Sequence, residues 1–190
     1  MKPIYCGFVG SPATKSQKKA LAKAEAELKK EMYDQISIVS GCIGIALYEN
    51  WGWRKARISE VFNEIENSWN ACSADKNISM IEMCEKETGI AIYREGYEGD
   101  YLDLKYFQPL TSETMTISQY IYMRIQQKKW VPATILASAF LSLHKLHGFG
   151  KERMLRLRDQ VDKIRERYQA DPKKIEDACY KITGVAITVK

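Results

Sequence analysis

Two short stretches carry residue types suited to holding an anion. Gly148-Phe149-Gly150-Lys151-Glu152-Arg153 sets two glycines around an aromatic ring and then opens a helix with basic side chains. Glycines let the backbone come close to a phosphate, and the free N–H groups of a helix start donate to it. Lys151 and Arg153 add charge without reading base sequence. The same helix carries Arg156, Arg158, Lys163 and Arg165 around an apolar seam of Met154, Leu157, Val161, Ile164 and Tyr168. Asp159, Asp162 and Glu166 lie three or four residues from these cations and neutralise part of them. The second stretch is Trp51-Gly52-Trp53-Arg54-Lys55-Ala56-Arg57, with Arg54 in the place of Gly150. Its tryptophans and Arg54 and Arg57 suit protein contact, including a homodimer. The plain alternative for both stretches is a tight turn plugged by Trp53 or Phe149, followed by a solvated helix.

Other chemistry finds little support. His144 and His147 are three residues apart, but no Cys or carboxylate stands beside them at metal-ligand spacing. Cys84 and Cys179 precede apolar positions and read as core residues. There is no phosphate loop, nucleophile elbow or suggestive carboxylate pair, so neither an enzyme nor a cofactor or metal is expected.

The run Leu146–Lys151 resembles the hairpin of a helix–hairpin–helix DNA-binding motif, in which an apolar residue stands between two glycines ahead of a basic helix. The earlier stretch departs from that pattern at Arg54. The resemblance implies non-specific phosphate binding at Gly148, Gly150, Lys151 and Arg153.

The elements that must position these turns follow from periodicity and breakers. Residues 15–32 predict a peripheral helix with a thin stripe of Leu21, Ala24, Leu28 and Met32. Residues 36–50 predict a buried helix, with Gly41 and Gly44 admitting a close neighbour; a strand is the alternative for 36–47, because β-branched residues are frequent there. A helix over 55–70 sets Ile58, Val61, Phe62, Ile65 and Trp69 on one face, and a short one follows Asn77 or Ser79. Residues 2–8, 90–93 and 101–107 read as short strands. Trp130-Val131-Pro132 should end a helix begun near 116, with Pro132 opening the next.

The chain also writes its plan twice. The Gly-aromatic stretches are offset by 96 residues. Cys84-Glu85-Lys86-Glu87-Thr88-Gly89-Ile90-Ala91-Ile92 returns as Cys179-Tyr180-Lys181-Ile182-Thr183-Gly184-Val185-Ala186-Ile187 at an offset of 95. The expectation is a tandem duplication, mainly α with short β-strands (an α+β chain), each unit reading strand, four helices, strand. The first unit is residues 1–95 and the second 96–190, packed as one pseudo-two-fold body.

Charge separates the two units. The net charge is +5. Residues 1–95 hold 13 Lys/Arg and 13 Asp/Glu, whereas residues 96–190 hold 16 and 11, so the whole excess lies in the second unit. That asymmetry suits DNA, a nucleoprotein or an acidic protein. Five cysteines without a framework, no leader-like N-terminus and no run long enough to span a bilayer fit a cytoplasmic protein.

The pattern of His147–Arg153 with Lys181–Ala186, and more loosely of Trp51–Arg57 with Lys86–Ala91, resembles small uncharacterised proteins of phages and prophages of Firmicutes. That resemblance implies a non-enzymatic protein acting on nucleic-acid machinery inside the host cell. Anti-CRISPR inhibitors of type II CRISPR nucleases are one such class, with members of this size and basic character.

Overall fold

A computed structural model describes residues 15–74, 80–92 and 117–187. They form six helices: α1 (Lys15–Trp51), α2 (Lys55–Ala74), α3 (Met80–Thr88), α4 (Ile117–His147), α5 (Lys151–Arg167) and α6 (Pro172–Thr183). Among the described residues there is no strand, so the expectation of an α+β chain is overturned: what is described is all-helical. Residues 36–47 belong to α1, not to a strand. Ile90 and Ile92 are buried side chains of a short tail after Gly89 that pairs with no ladder among the described residues. Their apolar alternation came from plugging a helical core at two points, which mimics a strand over three residues. The strands expected at 2–8 and 101–107 lie outside the described residues.

Each half is also simpler than four helices. The peripheral and buried helices of the first half are one continuous α1, and those flanking Pro132 are one continuous α4. Proline removes one backbone bond in mid-helix, which ordinarily breaks or kinks it. Here the flanking residues are buried on both sides, Val131 and Ala133 through Ile135, and tertiary packing holds the helix through the break. The described plan is therefore long helix, helix, short helix, written twice.

The packing exchanges partners between the halves. The long helix α1 lies mainly against α6, α4 and α5, and touches its own α2 only slightly. The long helix α4 lies against α1, α3 and α2. Each long helix thus covers the short helices of the opposite half, and one core unites them. Its centre is Ile43, Ile45, Leu47, Ile58, Phe140, Leu143, Leu157 and Ile175, all fully buried. None of the helices described is long and apolar enough to cross a membrane.

Close approach of α6 to α1 depends on glycine. A Cβ on Gly41 would overlap Ile175 Cγ2 and lie 3.0 Å from Ile187 Cδ1; one on Gly44 would lie 3.0 Å from Cys179 Sγ. Ile175 is branched at Cβ and cannot swing its methyl away cheaply. Alanine normally gains about 1 kcal/mol over glycine inside a helix. Gly41→Ala is nevertheless expected to lose about 1–2 kcal/mol net, from overpacking, read as a lowered urea midpoint at unchanged slope.

The ends of the short helices repeat in detail. Gly89 and Gly184 take φ of +68° and +73°, and their N–H groups donate to Glu85 and Tyr180 C=O at 2.8 Å. Thr88 and Thr183 hydroxyls donate to Cys84 and Cys179 C=O at 2.7 Å. Left-handed backbone is why glycine ends both helices.

Candidate nucleic-acid interface

The two Gly-aromatic turns are built alike and meet. In the first, Gly52 N–H donates to Tyr48 C=O at 2.9 Å and Trp53 N–H to Leu47 C=O at 3.4 Å. In the second, Gly148 N–H donates to His144 C=O at 3.0 Å and Phe149 N–H to Leu143 C=O at 3.2 Å. Gly52 and Gly148 take φ of +64° and +60°, which an L side chain resists. Each turn thereby swings the following aromatic inward, leaving Trp53 6% and Phe149 2% exposed. The rings then pack on one another: Trp53 stands edge-on to Phe149 at 5.6 Å and to His147 at 4.6 Å, and Trp51 lies 5.1 Å from Phe149.

This aromatic junction carries cations on its outside. Arg57 lies over the Trp53 ring at 5.1 Å, and Arg153, its counterpart in the second half, over the Phe149 ring at 5.4 Å. Arg54 stacks on Tyr48 at 5.1 Å and its Nη1 donates to the Tyr48 hydroxyl at 3.3 Å. A guanidinium resting against a ring still has N–H groups that suit a phosphate or carboxylate. Arg54, Lys55, Arg57, Lys151 and Arg153 are all exposed.

Helix α2 starts after Arg54, whose side chain has only donors and cannot cap it. Helix α5 starts after Gly150, in extended conformation (φ −85°, ψ 174°), with no side-chain cap. The first turn of α2 holds no acidic residue and that of α5 only Glu152. Cations there oppose the helix dipole by roughly 0.3–1 kcal/mol each. Helix α5 thus starts with its donors uncapped by any side chain, and both helix starts carry cations, which works against their own stability.

The rest of the basic helix is different. Arg158, Lys163 and Arg165 line a hollow of about 770 Å³ together with Asp159, Asp162 and Glu166, so cations and carboxylates balance there. Arg158 is largely covered, 3.8 Å from Asp159, while Arg156 is exposed. Arg167 is bound to Glu49 of α1 at 2.6 Å and 3.3 Å. The structure thus gathers Gly148, Gly150, Lys151 and Arg153 with Trp51, Trp53, Arg54 and Arg57 in one place. It leaves Arg158, Lys163 and Arg165 apart, along the mixed-charge flank of α5. Trp53 is spent on the interior.

Sequence reading missed the polar residues that pin the junction. His144 Nδ1 lies 2.9 Å from Phe149 C=O. Lys145 Nζ donates to Glu64 at 2.7 Å, and His147 Nε2 lies 3.8 Å from Glu60. Glu60 and Glu64 are more than eighty residues from these partners, and only the 96-residue offset could have suggested that the two turns meet.

The described thiols, Cys42, Cys84 and Cys179, are buried. Burial pushes Cys42 up to about 12 and Cys84 up to about 11, and raises Cys179 as well. A thiol-specific reagent at neutral pH should leave these three unmodified in the folded protein and label them after denaturation. Rapid labelling of any of them in the native state would contradict the packing described.

No family model, curated protein or solved structure matches the chain.

Proposed function

We propose that this chain is a phage-type, non-enzymatic binding protein that engages DNA or a nucleoprotein through the joined turns. The observation that carries the reading is the Arg57–Trp53–Phe149–Arg153 chain of ring contacts, which sets two guanidinium groups beside two helix starts. Exposed guanidinium and backbone N–H groups suit phosphate oxygens, and they position a protein on a nucleic-acid backbone without reading its bases. A type II CRISPR nuclease loaded with nucleic acid is the nucleoprotein that the phage resemblance implies. Use of the aromatic turns as a dimer contact is disfavoured by the burial of Trp53 and Phe149 within the chain.

Charge reversal separates the joined turns from the helix flank. Arg57→Glu with Arg153→Glu should weaken binding to a short duplex by at least tenfold at low salt. Arg158→Glu with Arg165→Glu should change it by less than threefold, because those side chains already share their hollow with carboxylates. The reverse order would move the interface to the flank of α5; indifference to both pairs would remove the nucleic-acid reading.

A further inference from the structure

We infer that Tyr180 is a stacking surface for an unpaired base, so that the preferred ligand of the joined turns is single-stranded nucleic acid. The inference rests on the reading of those turns as a phosphate site.

Its starting point is an aromatic ring that stands in water. Tyr180 is 62% exposed, and among the described side chains no other tyrosine, tryptophan or phenylalanine is exposed. Its counterpart in the first half is Glu85, an exposed carboxylate. The frame around the two positions is otherwise the same, a Cys before them and Lys-x-Thr-Gly after them. A ring has thus taken the place of a carboxylate in the half that holds the charge excess. Packing does not call for it there, since most of the ring lies outside the core.

The end of α6 sets this position beside the phosphate site. Gly184 N–H donates to Tyr180 C=O at 2.8 Å, and a Cβ on Gly184 would lie 3.7 Å from Lys55 Cδ. Lys55 opens α2 and follows Arg54 directly. Its stem therefore passes the C-terminal end of α6 about one turn, roughly 5 Å along the axis, from Tyr180. The basic start of α2 is continued in this way onto α6.

What surrounds Tyr180 suits a base better than a phosphate. Glu176 and Asp177 stand one turn before it on α6, and the C-terminal end of a helix is its negative pole. A phosphate is repelled there. A base is uncharged, and an aromatic ring accepts its π-face whatever the sequence. Phosphates then lie on the side of Arg54 and Lys55 and the base on the side of the tyrosine. Bases inside a duplex are already stacked on one another, so only an unpaired strand can offer one to the ring.

The test uses the intact protein with three probes of equal length at one low salt concentration: a thymidine single strand, an abasic single strand and a duplex. The thymidine strand should bind more tightly than the abasic strand. Tyr180→Ala should weaken binding of the thymidine strand by about five- to a hundredfold, the span of one base stacked on an aromatic ring. It should bring that strand to the level of the abasic one. Tyr180→Phe keeps the ring and should keep wild-type affinity, and duplex affinity should change by less than about twofold in both variants. A position this exposed can be truncated without unfolding the chain, and thermal melts of the variants check it. Wild-type affinity of Tyr180→Ala for the thymidine strand overturns the inference, as does an abasic strand that binds as well as the thymidine one. An equal loss on strand and duplex also overturns it, because the contact would then be to the backbone. In each of these cases duplex binding leaves the phosphate site standing. Absence of binding to all three probes removes the underlying reading and the inference with it.

Discussion

Phe149→Ala is expected to destabilise the protein by about 3–5 kcal/mol, the usual cost of deleting a buried aromatic ring. For a chain of this size that is a drop of roughly 10 °C in melting temperature. The ring is 2% exposed and touches Trp51 and Trp53, so its removal opens a cavity where the two long helices end. It also strips Arg153 of the surface it lies on. Phe149→Leu restores most of the volume but not the π-face. It should recover much of the stability while leaving Arg153 less constrained, and therefore binding weaker than wild type. Thermal melts of the two variants check the first part. Equal and small losses in both would mean that the junction is not a packed centre.

Gly150→Asp is expected to move stability and binding in opposite directions. Gly150 is the N-cap of α5, its backbone is already extended, and a Cβ there meets nothing within 4 Å. Neither φ nor packing requires glycine. An aspartate accepts the N–H groups that are now uncapped and sits beside Lys151 and Arg153, which should add about 0.5–1 kcal/mol of stability. The same carboxylate occupies the donors that phosphate would use and repels it. Losing charge-assisted bonds of about 1.5–3 kcal/mol lowers affinity by roughly ten- to a hundredfold. Gly150→Ser should gain stability in the same way and lose less affinity, since it blocks donors without adding charge. A purely structural turn would show the gain alone.

Much of this was written in local spacing. The apolar seam of α5 named Met154, Leu157, Val161, Ile164 and Tyr168 as its buried face; the first four are buried, and Tyr168, the C-cap, is half-buried. Gly52, Gly89, Gly148 and Gly184 stand at helix ends, where left-handed backbone is a local requirement. What the pattern misread were continuities and strands. Pro132 signals a break locally, and only the burial of its neighbours carries α4 through it. Ile90 and Ile92 alternate like a strand because a tail plugging a core can do so over three residues. The site was legible in its residues but not in its assembly. Trp53 and Phe149 are 96 positions apart, and their contact follows from each long helix crossing to the opposite half's partners. Net charge along α5 pointed at the whole helix, whereas the carboxylates of the Arg158–Arg165 hollow leave the unbalanced charge at the turns.

The most direct test of phosphate binding at the joined turns is a salt titration of duplex affinity. Each phosphate neutralised lowers the logarithm of affinity by about 0.9 per decade of salt. Wild type should show a linear fall with a slope of roughly −3 to −5, given the five exposed cations of the two helix starts. Arg57→Glu with Arg153→Glu should make that slope shallower by about two. An affinity indifferent to salt, or a slope that the double variant leaves unchanged, would contradict the account.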